Sequence, residues 1–169
     1  KGKLRRRDYE YIRKGTANIF ITVEPKGRYR NVWTTKSRKR FDFAHEMRRL
    51  ASLPRYRQAK KLHIVLDNLN THNEQSLVKT FSKEETVRLM ERIQFHHTPK
   101  HASWLNMAEI EIGVLNRQAI RGRIGDLAHL RKQISAWQKR RNRRHATITW
   151  TWTTNDARKK FGYTGSELS

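Results

Sequence analysis

The stretch Leu62–His72, LHIVLDNLNTH, constrains the fold more than any other part of the chain. Leu62-His63-Ile64-Val65-Leu66-Asp67 is short, partly β-branched and alternating in bulk, the pattern of a buried strand, and Asn68 and Asn70 stop it as turn residues. The strand ends on a carboxylate. In open α/β sheets, ligands and metals gather beyond the C-terminal ends of strands, which is where Asp67 stands. Aspartate also ends strands because its side chain bonds the amides of the next turn, and from this strand alone that reading is the stronger.

Around that strand the chain alternates between two periods. Ala17–Glu24 (ANIFITVE) reads as a strand closed by the turn Pro25-Lys26-Gly27, and Arg28–Thr35 as its half-exposed antiparallel partner. Phe43, Met47, Leu50 and Ala51 recur at helical spacing within Phe41–Leu53, and Pro54 ends that helix. After the Leu62 strand, two short helices are expected over Glu74–Phe81 and Lys83–Arg92, the second opened by Ser82 with Glu85 three residues on. Ile93–His97 reads as a strand stopped by Thr98-Pro99. A helix capped by Ser103 runs to Gly122 or Gly125. A longer one, Asp126 to about Arg143, carries Leu127, Leu130, Ile134 and Trp137 on one stripe. Ala146–Thr154 alternates as a strand or an extended docking segment, and Asp156–Phe161 closes with one helical turn. The pattern is α/β, one domain over 1–169: a basic arm (1–16), a core (17–125), and a basic C-terminal helix with its tail (126–169).

Composition narrows the partners. Thirty-eight Lys and Arg against fifteen Asp and Glu give a formal net charge of +23, which demands a polyanion. Nucleic acid fits best, since scattered Lys and Arg neutralise phosphates. Arg5, Arg6 and Arg7 in the arm, Lys100 and His101 before the second helical region, and Arg140, Arg141, Arg143 and Arg144 at the end of the long helix are the candidate contacts. The last run also suits a helix C-terminus, where cations oppose the dipole. The chain has no cysteine, which excludes disulfides, thiolate zinc sites and a thiol nucleophile and favours an intracellular setting. No apolar run reaches a membrane span. The sequence opens on Lys1 rather than Met, so a longer parent is expected.

A second carboxylate lies in Thr98-Pro99-Lys100-His101-Ala102-Ser103-Trp104-Leu105-Asn106-Met107-Ala108-Glu109. At about 100° per residue, Asn106, Glu109, Gly113 and Asn116 fall on one narrow polar seam, and Glu111 falls on the opposite seam beside Gln118. A carboxylate on a mostly apolar helix needs a cation or a hydrogen-bond partner. Two carboxylates from a strand end and a helix can share hard divalent ions. Periodicity does not choose between Glu109 and Glu111.

LDNLNTH followed by HHTPKHASWLNMAEIEIGVLNRQ resembles the catalytic core of the DDE transposases, closest to the bacterial insertion-sequence branch of the mariner-like superfamily. The likeness extends to DYEYIRKGTANIFITVEP and RNVWTTKSRKRFDFAHEMRRLA, and weakly to TWTTNDARKKF. It implies a ribonuclease-H-like mixed sheet flanked by helices. It also implies that Asp67 is the second catalytic carboxylate and Glu109, within Leu-Asn-x-x-Glu, the third. Both would hold metal. Asn68, Asn70 and His72 match the turn after the aspartate, and Trp104 and Asn106, with His101, match the approach to the glutamate, as supporting residues.

The family's first aspartate lies upstream of the block that starts near Arg7-Asp8-Tyr9, and Asp8 does not match it. The resemblance therefore implies a chain lacking its first strand, which sits centrally in the family sheet. For the intact parent it implies phosphoryl transfer on double-stranded DNA, transposon ends and target, with two Mg²⁺ (or Mn²⁺) ions about 3.5–4 Å apart. The setting would be the bacterial cytoplasm at the nucleoid, with a homodimer among the assemblies allowed. The rival expectations are a non-catalytic basic nucleic-acid-binding domain and an inactive truncated remnant.

Overall fold

The structure is a computed structural model that describes residues 15–100 and 102–162. Two strands, β1 (Asn18–Glu24) and β2 (Tyr29–Thr35), form an antiparallel hairpin in the register Asn18↔Thr35 to Glu24↔Tyr29. The turn between them places Arg28 in the left-handed region at φ 51°. At Gly27 a Cβ would come within 2.0 Å of the Glu24 carboxylate, so any larger residue there would have to push that side chain aside. Glu24 in turn accepts from Arg55 at 2.6 Å and from the Tyr56 hydroxyl at 3.1 Å, pinning the hairpin tip to the loop that follows the first helix.

That helix, α1 (Arg40–Ala51), buries Phe43, Ala44, Met47, Leu50 and Ala51. It packs with α2 (Glu74–Val78), α3 (Lys83–Arg92) and the strands β3 (Leu62–Leu66) and β4 (Ile93–His97) around a first core. Strands β3 and β4 pair in parallel, Leu62↔Ile93 to Leu66↔His97. Ser82 caps α3 as its spacing predicts, its hydroxyl accepting from the Glu85 amide at 3.2 Å. A second core joins Val32 of β2 to α4 (Met107–Ala119) and α5 (Leu127–Arg143) through Leu115, Ala119, Leu130, Ile134 and Trp137. The buried Trp137 indole donates to Gln118 Oε1 at 3.1 Å. Strand β1 is the wall between the two cores, with Phe20 packed against the first and Ile19 and Ile21 against the second.

Three expectations change. Strand β2 is largely buried rather than half exposed: Arg30, Asn31, Val32 and Thr34 are all covered, because α5 lies along its outer edge. There the side chains of α5 do the work of a neighbouring strand. Asn142 accepts from the Arg30 amide at 2.8 Å and donates to its carbonyl at 2.9 Å, and Gln138 accepts from the Val32 amide at 2.6 Å. Strand β3 is half-buried on one face alone, through Leu62, Ile64 and Leu66, since the α4–α5 layer covers the hairpin and leaves Val65 54% exposed. The helix that carries Glu109 begins at Met107, not Ser103. Ser103–Leu105 winds as a 3₁₀ turn, and Asn106 caps α4 by accepting from the Ala108 amide at 3.0 Å.

Residues 146–153 run extended without strand pairing, half-burying Ile148, Trp150 and Trp152 and exposing the threonines between them. A further helix, α6 (Thr154–Phe161), follows a capping box of Thr153 and Asp156 and is longer than the single turn expected. Among the described residues the strands make two separate two-stranded sheets, β1–β2 and β3–β4, within a mixed α/β chain.

Candidate active-site cleft

Between the two sheets runs a cleft of about 460 Å³. Consecutive residues of β1 (Asn18 to Val23) and of β3 (His63 to Leu66), with Asp67 just beyond it, line it, so it follows the edges of the strands and not one face. The pairing pattern says which backbone groups meet it. Arg30 and Val32 turn their amides away from β1, so their partners Val23 and Ile21, and Ile19 with them, turn theirs away from β2 and into the cleft. The Leu66 carbonyl bonds the Thr98 amide on the β4 side at 2.9 Å, which leaves the backbone of His63 and Val65 facing the cleft. Among the described residues, both walls are unpaired strand edges.

Asp67 and Glu109 line this same cleft, one at the end of β3 and one in the first turn of α4. His72 returns from the turn after β3 to donate from Nδ1 to Asp67 Oδ1 at 2.6 Å, while its ring stacks on Phe43 at 4.8 Å. His97 Nε2 donates to the His72 carbonyl at 2.8 Å and steadies that turn. The Asn68 side chain bonds the Thr98 carbonyl, tying the turn to the end of β4, and the exposed Asn70 offers its carbonyl to Asn73 at 2.8 Å. Asn106 borders the cleft but spends its side chain on the helix cap. Trp104 is exposed and meets Trp152 edge-on at 4.9 Å, holding the extended C-terminal segment beside the start of α4.

Glu111 lies on the other side of α4 from Glu109. It is fully buried and accepts from Arg30 at 2.7 Å and from Arg141, all on Oε1. Burial pushes its carboxyl up, and the two guanidinium groups together outweigh that and hold it below the ordinary glutamate value. Sequence reasoning missed this network. Arg30 sits within a strand alternation as a solvent-facing residue would, and Arg141 sits in a basic run. The only signal was negative: a carboxylate on an apolar helix needs a cation.

Of the proposed phosphate contacts, Lys100, Arg140, Arg143 and Arg144 are exposed. Arg141 is turned inward to Glu111 and does not share their surface. Arg5, Arg6, Arg7 and His101 lie outside the described residues.

The donor chemistry of the cleft suits hard divalent ions in kind, since both groups are carboxylates. It falls short in number. Among the described residues no three His, Cys, Asp or Glu side chains converge as a metal site. No helix among them is long and apolar enough to cross a membrane.

A family model described as DDE superfamily endonuclease matches residues 1–131. No curated protein matches significantly, and no solved structure does either.

Proposed function

Because the chain belongs to the DDE superfamily endonucleases, we propose that it is the catalytic core of a transposase of the bacterial insertion-sequence, mariner-like kind, cutting and joining double-stranded DNA at transposon ends and target. On this reading the two sheets are the halves of one ribonuclease-H-like sheet, whose centre is the cleft between β1 and β3. One observation carries the reading: Asp67 and Glu109, from separate elements, line one cleft whose two walls are strand edges left unpaired among the described residues. An extended strand seated there pairs with both edges at once and brings the third carboxylate to the other two.

In that assembly Asp67, oriented by His72, and Glu109 would hold Mg²⁺ or Mn²⁺, which would supply charge neutralisation at the phosphate and activation of the attacking oxygen. The exposed cations at the end of α5 and at Lys100 position the phosphate backbone without reading bases. The setting is the bacterial cytoplasm near the nucleoid, and a homodimer is the simplest assembly that brings two transposon ends together.

The test is plasmid end cleavage by the 169-residue chain, alone and with an added strand that ends in aspartate, supplied in cis or as a peptide. The expected result is no cleavage by the chain alone with Mg²⁺ or Mn²⁺, and cleavage with the strand that Asp67→Ala or Glu109→Ala abolishes. Robust cleavage by the chain alone, lost in Asp67→Ala, would show that the third carboxylate comes from within it. A second reading, a non-catalytic basic DNA-binding domain, draws on the absence of three converging ligands among the described residues. DNA binding without cleavage in every arm would favour it.

A further inference from the structure

Helix α6 buries no residue, yet it is held against the start of α4. What holds it is aromatic. Trp104 meets Trp152 edge-on at 4.9 Å and Phe161 in a slipped stack at 6.4 Å and 23°. With both rings against it, Trp104 still keeps 42% of its surface in solvent. We propose that the open part of the Trp104 ring is a stacking platform for an unpaired base of single-stranded nucleic acid, whose phosphates are taken up by the cations around it. The platform needs neither the cleft nor a metal.

A small apolar core does not account for the cluster. Rings that serve only to dock a tail are normally covered by it, but Trp104 stays exposed, and Trp152 Nε1 is covered without a hydrogen-bond partner among the described residues. Trp152 and Phe161 fix the Trp104 ring in position without enclosing it. A ring already fixed loses little freedom when a flat partner lands on it.

Charge selects the partner. From Leu127 to Gly162 the one acidic residue is Asp156, and its carboxylate is spent on the Thr153 cap. Arg158, Lys159 and Lys160 fill the last turn of α6 and are all exposed. Arg158 lies three residues before Phe161, on the same side of the helix. Lys100, also exposed, comes four residues before Trp104, at the turn in which the Ala102 amide bonds the Pro99 carbonyl. A flat ring bordered by cations is complementary to a base and its phosphates. A second copy of the chain brings the same cations and is repelled, and an acidic peptide satisfies the cations but leaves the ring idle.

The ring also separates single strands from duplex. Within a duplex each base is stacked on both faces and shows only its edges in the grooves, so an indole face has nothing to meet there. An unpaired base has a free face. Stacking accepts any of the four bases, so the platform supplies affinity without sequence preference.

The test changes each side of the contact in turn. The full chain is titrated with labelled oligo(dT) of about ten nucleotides, with an abasic strand of the same length and charge, and with a duplex. Trp104→Ala is expected to weaken oligo(dT) binding about tenfold, to leave binding of the abasic strand unchanged, and to shift duplex binding by less than about twofold. Trp104→Phe, which keeps a flat ring, is expected to restore most of the loss. An oligo(U) titration distinguishes RNA from DNA as the source of the base. Each variant is melted in parallel, because Trp104 also holds the tail. If Trp104→Ala does not fold, Trp104→Leu, which keeps apolar bulk without a flat face, replaces it and is read in the same way. Equal affinity of the parent for oligo(dT) and the abasic strand would overturn the platform. So would a folded variant that loses single-strand and duplex binding alike, or loses neither.

Discussion

Asn142 holds Arg30 by both of its backbone polar groups, accepting from the amide at 2.8 Å and donating to the carbonyl at 2.9 Å. A helix side chain thus replaces a strand at the outer edge of β2, and Gln138 repeats the device one turn earlier at Val32. The hairpin is closed on that side and open on the other.

Replacing Asn142 with leucine should therefore cost more than the loss of a surface amide. It leaves a covered amide and carbonyl of Arg30 without partners, at about 1–3 kcal/mol for each such group. Urea unfolding of Asn142→Leu, compared with the exposed substitution Arg143→Leu, measures this, and a cost no larger than that of Arg143→Leu would show that water reaches the edge.

Glu111→Leu alone leaves Arg30 buried without a counter-charge, for which about 3–5 kcal/mol is the usual cost of breaking a buried pair. The same carboxylate fixes a pH dependence. Its folded value lies below the ordinary 4.5, so its contribution to stability is full above 4.5 and is lost as pH falls through the folded value. Denaturant midpoints collected downward from pH 6 should fall more steeply for the parent than for a variant that combines Arg30→Met, Glu111→Leu and Arg141→Met, which leaves no buried charge alone. Parallel curves would mean that Glu111 keeps its proton balance on unfolding.

DNA affinity should fall steeply with salt, as expected for a chain of net charge +23. Neutralising Arg140, Arg143 and Arg144 together should reduce the slope of log K against log salt by up to about 2–3, close to 0.9 per phosphate contact. Arg141→Gln should instead lower stability and leave the slope unchanged, because its guanidinium faces Glu111 and not solvent. A slope that responds to Arg141 as much as to its neighbours would contradict the inward orientation.

His72→Ala removes the donor to Asp67 and the ring that stacks on Phe43. A loss of about 1 kcal/mol in stability is expected from the hydrogen bond. Urea unfolding measures it, and His72→Asn, which offers an amide donor, should recover part of the loss; a cost unchanged in His72→Asn would assign it to the ring on Phe43.

How far the sequence carried depends on the range of the interactions. The stripe Leu127, Leu130, Ile134 and Trp137, the cap at Ser82 and the β-branched and aromatic run in Ala17–Glu24 are local signals, and each element formed where they placed it. Gln138 and Asn142 gave no sign of covering a strand, because their partners Val32 and Arg30 are 106 and 112 residues away. Within a run of cations they read as solvated. Arg30 was concealed for the same reason, since an arginine in an alternating strand signals the wet face unless a distant glutamate is known to meet it. At the cleft, spacing gave each carboxylate its element, but that two elements some forty residues apart border one space is a property of the packing.

The open edges beside the cleft also govern how copies of this chain behave toward one another. Among the described residues each presents unpaired ladder groups at Ile19, Ile21 and Val23 and at His63 and Val65, ready to zip onto another extended chain. At low ionic strength the mutual repulsion of molecules carrying +23 keeps such edges apart. At 1 M salt the Debye length shrinks to about 3 Å and that protection is gone. High salt, the usual means of stripping nucleic acid from a basic protein, is thus the condition under which this one is most exposed to self-association, and a polyanion or a seated strand protects it better than concentrated salt.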